Sequence, residues 1–284
     1  MEQSTIPSKY TSLTGQQENR RLDIQNRALG HFDRDIYLNI LGKYCQPIIL
    51  DVGCGTGTMM SHILADIPSH FYVGIDKMPQ QIELARRNVQ DGIFRTADVE
   101  REGFLSTMKT IMEECGIKCF DVINCSMVIM HLTDPVSVLA HLKPLLGPGG
   151  TLIVRDIDDG LQYAWPDAGG RFARLFDIIA RDTRMGDRHC GRKIFSYLKN
   201  AGFQTVRLNR AGLSTASIDD KLLLYELAIP TLLHYMEQRH LKEPDNAQWK
   251  VDYEWFRDNI YAMEQSFHKD DFIFSAGFMN FTAE

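Results

Sequence analysis

The sequence predicts an α/β fold built on a mostly parallel sheet, and two observations carry that reading. Short apolar, β-favouring segments alternate with helix-patterned segments from residue 48 to about residue 156. Such alternation builds a parallel sheet with helices on both faces. The first of these segments, Ile48–Val52, runs into a turn with glycine at 53, 55 and 57, then into helix-like sequence from Thr58. Glycines at every second position let the backbone pass close to a ligand at a helix N-terminus.

The remaining elements follow in order. Ahead of the first strand, residues 16–44 carry Leu22, Leu29, Phe32, Ile36, Ile40 and Leu41 at helical spacings. A break is expected at His31 and Phe32, because Gly30 is a natural C-cap. The second strand, 71–76, ends in Asp76, and the third is short and leads to Asp98 and Val99. The fourth, from Phe120, closes on Cys125 and Ser126, and the fifth follows the Pro-Gly turn at 147–150. Helices are expected over 169–184 and 190–201, then a sixth strand from Phe203 and a last strand over 272–281. Between those two strands lies an insertion, residues 211–270. Its first helix starts at Ser217, Asp219 and Asp220 and bends at Pro230. Its second runs over 246–264 with Trp249, Tyr253, Trp255 and Phe256.

Composition narrows the class. A chain of 284 residues, 44% hydrophobic and 24% charged, suits a globular protein of one large α/β domain with an insertion, or of two small ones. No apolar run approaches the roughly 20 residues that span a bilayer, and the polar N-terminus lacks a basic-then-apolar pattern. A cytoplasmic setting without a membrane partner is therefore expected. The net charge of −6 with no Lys/Arg block argues against nucleic acid as partner. Six scattered cysteines without a C-x-x-C pair argue for reduced thiols and against a metal.

The G-x-G-x-G turn at 53–57, Asp51 two residues before it, and the strand-end acids Asp76 and Asp98 resemble the motifs of class I S-adenosylmethionine (SAM) methyltransferases. The fourth strand and the Gly147–Gly150 turn follow in that family's order. The resemblance covers residues 30–160 closely. It implies a three-layer Rossmann-like methyltransferase fold: a mostly parallel seven-stranded sheet, an antiparallel last strand and a helical insertion before it. The divisions it implies are an N-terminal helical segment over the cofactor (1–45), a SAM-binding core (46–210), the insertion (211–270) and the last strand (271–284). It implies SAM as cofactor, with Gly53, Cys54, Gly55 and Gly57 beside the methionine portion and ribose, and Asp51 orienting the loop. Asp76 would take the ribose diol, Lys77 and Met78 would line the adenine, and Asp98 and Val99 would meet its edge. Cys125 and Ser126 would sit near the SAM amino group, with Tyr10 as an aromatic cap and Arg20 or Arg21 as carboxylate partners.

The reaction expected is methyl transfer to a small molecule, an amine or a hydroxyl. An NAD(P)-dependent oxidoreductase is the rival, disfavoured by Thr58 where a third glycine would be needed; a SAM-binding protein that does not methylate is another. His131, after the fourth strand, is the candidate general base, alternatively a histidine packed on its helix. Asp158 is the second catalytic candidate, and Asp159, Tyr163 and Trp165 are candidates for holding the acceptor, with a solvated loop as the alternative. Arg188, His189, Arg192 and Lys193 form a basic cluster suited to an anion or to solvent. The two inserted helices suit a lid over the acceptor, or equally an interface in a homodimer or packing on the core.

Overall fold

The computed structural model describes residues 16–181, 186–218 and 221–284, residues 16–19 by their backbone alone. Tyr10, Asp219 and Asp220 lie outside the described residues.

Among the described residues eight strands form one sheet: β1 (Ile48–Val52), β2 (Phe71–Asp76), β3 (Gly92–Thr96), β4 (Phe120–Ser126), β5 (Leu146–Ile157), β6 (Tyr163–Trp165), β7 (Val206–Ser214) and β8 (Ile273–Ala283). Their order is β3-β2-β1-β4-β5-β8, with β6 and β7 both on β8. The first five strands are parallel. The C-terminal strand β8 inserts antiparallel between β5 and β7, setting Ile157 against Phe278 on one side and Ser214 against Ser275 on the other. The strand count exceeds the expected seven by β6. Pairing with β5 ends at Phe278, which leaves the first residues of β8 an open edge, and Tyr163–Trp165 completes it.

Nine helices cover the sheet among the described residues: α1 (Gln16–Leu41), α2 (Thr58–Leu64), α3 (Pro79–Asn88), α4 (Phe104–Cys115), α5 (Pro135–Leu142), α6 (Arg171–Arg181), α7 (Ile194–Asn200), α8 (Lys221–Lys242) and α9 (Ala247–Phe267). Strand alternation divides the core in two. Ile49, Tyr72, Phe94, Val122 and Ile153 pack under Tyr37 and Leu41 of α1 and under α2 and α3. The intervening Leu50, Val73, Ile123 and Leu152 face α4, α5 and α7. Each such side chain, fully buried, stabilises the fold by about 1.5–3 kcal/mol.

The break expected at His31 and Phe32 falls one residue later, as a kink at Asp33, whose backbone lies at φ −151°, ψ 17°. The cause is tertiary. Asp33 is fully buried and reaches Arg155 Nη1 at 2.6 Å and Asn280 Nδ2 at 2.6 Å. Three polar residues stand where strand alternation calls for apolar ones on this face: Asp51 on β1, Asn124 on β4 and Arg155 on β5. Tyr37 donates to Asn124 at 2.7 Å, and Asn124 donates to Asp51 at 2.6 Å. Tyr72 donates to Asp51 at 2.9 Å. These side chains form a buried hydrogen-bonded chain that fastens α1 to the sheet, with every member satisfied.

In the insertion, α8 packs on α1 and α9, and α9 also packs on α6. Pro230 sits inside α8 and cannot donate to the carbonyl of Glu226; Thr231 Oγ1 donates to it instead at 3.2 Å. That substitution keeps the helix continuous through its proline.

Candidate functional site

A cavity of about 320 Å³ opens along the C-terminal ends of the parallel strands, where an open α/β sheet builds its ligand sites. Its polar end is formed by the turn after β1. Gly53 and Gly55 have φ of +67° and +53°, conformations that favour glycine. A Cβ on Gly53 would lie 2.5 Å from Val128, whereas one on Gly55 would meet no atom within 4 Å and project into the cavity. Asp51, Gly53, Cys54, Gly55 and Thr56 all line it. Gly57 does not; it is the N-cap of α2, packed against Phe94 and Val89.

Asp76 closes β2 and lines the same end. Its Oδ1 accepts the Met78 amide at 2.8 Å and its Oδ2 the Gly55 amide at 3.1 Å. Burial nonetheless raises its carboxyl above the usual range, against the lowering effect of those two amides. Each oxygen keeps a lone pair for a donor in the cavity. Lys77, Met78, Asp98 and Val99 continue the wall. Asp98 also accepts the Glu100 amide at 3.1 Å, so its turn-forming and wall-lining roles coexist. Burial pushes the Asp51 carboxyl up to about 6, despite its hydrogen bonds from Asn124 and Tyr72.

Helix α1 and β4 close the other sides. Arg21, Leu22, Gln25 and Asn26 reach the cavity from α1, with Arg21 donating to Gln25 at 2.7 Å. Ser126 lines it too, its hydroxyl accepting Arg155 Nε and Nη2 at 3.0 and 2.9 Å. Cys125 does not; it is fully buried in β4, and burial raises its thiol well above the ordinary range.

His131 lines the cavity at the end of the 3-10 turn Ile129–His131. Asp156, fully buried, holds that turn by accepting the Met130 amide at 3.2 Å, and the Asp187 amide donates to Met130 O at 2.8 Å. Burial raises the Asp156 carboxyl to about 6 from 3.8, against the amides of Ile157 and Met130 that lower it. A buried acid with a raised pKa keeps its proton in the folded state between those values, so its contribution to stability falls as pH rises through the window. Relative to the native protein, Asp156→Asn is expected to gain about 2–3 kcal/mol between pH 4 and pH 7. Urea unfolding at the two pH values measures this, and a constant gap between the proteins would contradict it.

The acids after β5 are not brought to the cavity. Asp158 is held by Arg192 through Nε and Nη2 at 2.8 and 2.6 Å and by the Arg192 amide at 2.8 Å. Burial alone would raise its carboxyl, but Arg192 outweighs that and holds it below the usual range. Asp159 is gripped by Arg188 at 2.7 and 2.9 Å, and Lys193 pairs with Asp187 at 2.6 Å. The acidic and basic clusters of the sequence thus neutralise one another. Tyr163 and Trp165 sit on β6, 50% and 69% exposed, away from the cavity. The six cysteines are free thiols, and no group of metal-ligating side chains occurs among the described residues.

The sequence offered the inserted helices as a lid, equally as an interface or packing, but singled out no lining residue of the far wall. Leu224, Leu227, Ala228, Thr231, Leu232 and Tyr235 line it from one face of α8, and Phe274, Ala276 and Phe278 from β8. The helical spacing on α8 and the period-two spacing on β8 were the available signals. Helix α9 contributes no lining residue and backs α8 instead.

Comparison with known proteins agrees with this architecture. A family model described as a methyltransferase domain matches residues 47–210. The malonyl-[acyl-carrier protein] O-methyltransferase of Halalkalibacterium halodurans is 30% identical over 141 residues, 49% of this chain and 48% of that protein. A ubiquinone biosynthesis O-methyltransferase of Actinobacillus pleuropneumoniae serotype 7 is 30% identical over 143 residues, 50% of this chain and 54% of that protein. The chain thus spans about half the length of the curated relatives it matches. Among solved structures, the plantazolicin methyltransferase BamL, in complex with a triazolic desmethylPZN analog and SAH, superposes with a TM-score of 0.52 at 13% identity, over 94% of this chain and 89% of that one. That likeness concerns the fold. With the matched segment running from β1 into β7 and exceeding half the chain, this protein belongs to the methyltransferase-domain family.

Proposed function

We propose that this protein transfers a methyl group from SAM to a small-molecule acceptor, an amine or a hydroxyl. The observation that carries the reading is Asp76, a carboxylate fixed by the Gly55 and Met78 amides at the edge of a cavity that the glycine turn opens. The residues present suit the adenosyl ligand. Gly55 lines the cavity at a left-handed φ that favours glycine, Asp76 offers two acceptor oxygens for a ribose diol, and Met78 and Val99 offer an apolar slot for a base. BamL, with the same fold, is bound to SAH.

When bound, SAM supplies a sulfonium methyl: the acceptor's lone pair forms the new bond, the C–S electron pair returns to sulfur as a thioether, and the acceptor's proton passes to a base. His131, held over the cavity by Asp156 through the Met130 amide, is the residue of this chain suited to take that proton. Ser126, held by Arg155, offers a polar lining beside it. Helices α1 and α8 wall the cavity on two sides. The reading includes a cytoplasmic setting and no nucleic-acid partner, supported by six free thiols and the net charge of −6. No helix among the described residues is long and apolar enough to cross a membrane.

Calorimetry with SAH, SAM and NAD(H) tests the cofactor. Micromolar binding of the adenosyl ligands without NAD(H) is expected, and Asp76→Ala should weaken it by about 1.5–3 kcal/mol, the scale of a lost charge-assisted hydrogen bond. Unchanged affinity in that variant would sink the assignment. Binding without turnover across acceptor classes would favour the non-methylating alternative.

A further inference from the structure

The cavity changes character along its length. In the strand order β2-β1-β4-β5-β8, four strand steps separate Asp76 from the β8 phenylalanines, about 19 Å at the usual spacing of about 4.8 Å. The carboxylates that line the cavity, Asp51, Asp76, Asp98 and Glu100, belong to β1, β2 and the loop after β3. Beyond β5 the wall is mostly apolar, with Phe176, Ile179, Leu224, Leu227, Phe274 and Phe278. Its uncharged polar side chains are Gln162, whose buried Oε1 accepts no hydrogen bond among the described residues, Thr231 and Tyr235. Arg188 is the charged side chain that reaches this half among the described residues, and both oxygens of Asp159 already bind it. The Thr231 hydroxyl donates to the α8 backbone. Phe176 and Phe274 pack on each other, centroids 6.1 Å apart, rather than framing an open box.

An alkylamine enters such a site as an ammonium ion, since its pKa is near 10.4. With its body against that wall and its charge towards His131, it would leave water for a site whose nearest lining carboxylate, Glu100, already accepts the Thr133 and Asp134 amides, and desolvation of the charge opposes binding. Cation–π attraction to phenylalanine, weaker than to tryptophan, recovers only part of that. An uncharged hydroxyl compound pays no such penalty. Within that class, acidity matters, because the base beside the cavity is an imidazole. A phenol, like the tyrosine side chain, ionises near 10, whereas water and aliphatic alcohols are far weaker acids. An imidazole takes a proton far more readily from the first than from the second.

We infer that the methyl acceptor is an uncharged, mostly apolar phenol or enol, its body seated between β8 and α8 and its hydroxyl turned towards His131. This rests on the methyl-transfer reading and narrows its acceptor. In the balanced step, the acceptor O–H proton goes to the imidazole, the oxygen takes the methyl group, and a methyl ether and the thioether of SAH result.

The test uses the full chain and begins with SAH alone in a calorimeter. SAH-saturated protein is then titrated at pH 7.5 with 2-naphthol and with 2-naphthylmethylamine, which share a ring system and differ in charge. Naphthol is expected to bind at least about tenfold tighter. Leu227→Glu, which puts a carboxylate on the apolar wall, is expected to weaken naphthol at least about tenfold and to strengthen the ammonium, with SAH affinity unchanged. If that variant does not fold, the comparison in the native protein still decides. Tighter ammonium binding, or silence from both probes while SAH binds, overturns the inference and leaves the methyl-transfer reading standing. Failure of SAH to bind removes that reading itself.

Discussion

Arg155→Met is expected to lower the unfolding free energy by about 3–5 kcal/mol, the scale of a buried ion pair broken on one side. The guanidinium is fully buried, bonded to Asp33 at 2.6 Å and to the Ser126 hydroxyl, and lies 5.5 Å from the centroid of the Tyr37 ring. Burial already raises the Asp33 carboxyl above its usual range even with Arg155 lowering it. Without the cation, Asp33 must take up a proton or stay charged in an apolar setting, and the kink in α1 loses its anchor. Denaturant unfolding reads the loss directly, and a change under about 1 kcal/mol would mean that the pair carries little of the fold. The double variant with Asp33→Leu should recover part of the loss, because no charge is then stranded. Recovery stays incomplete because Asn280 loses the acceptor it holds at 2.6 Å. The same variants should weaken SAH, since Ser126 and the cavity-lining residues of α1 are held in place through this network.

Turnover of His131→Ala is expected to fall about 10²–10⁴-fold, the range of a lost general base. SAH affinity should be nearly intact, because the polar end of the cavity is built from β1, β2 and the loop after β3. A phenolic acceptor ionises unaided at high pH, so the deficit should shrink as pH approaches 10. Measuring kcat from pH 6 to 10 for both proteins decides the matter. Parallel profiles with preserved turnover would make His131 a structural residue of its turn and send the search for the base elsewhere.

The polar end of the site was legible because its chemistry is local. Glycines at 53 and 55 and the acids Asp51, Asp76 and Asp98 stand at fixed distances from strand ends, so reading the strands located the residues. Gly57 and Cys125 carry the same local signature but face away from the cavity, into α3 and the core. Their direction depends on what packs behind them. The acceptor half was harder still. Asp158, Asp159, Tyr163 and Trp165 follow a strand end and looked suited to a substrate, yet two are spent on arginines and two lie on the surface strand β6. Charge complementarity between 156–159 and 187–193 was visible in the sequence; that the two runs meet was not.

What the sequence by itself determined is the α/β class, the order of the strands, the glycine turn and the antiparallel last strand. The first three rest on periodicity or on a backbone conformation that only certain residues adopt, and the last on the resemblance to the methyltransferase family. The tertiary structure alone decided where α1 kinks, which acids are spent on partners and which faces wall the far end of the cavity. Asp33 meets Asn280, and Phe176 meets Phe274, across separations in sequence that no local pattern spans. Such contacts are set by packing around one core, and the free energy that selects them belongs to the whole chain rather than to any segment.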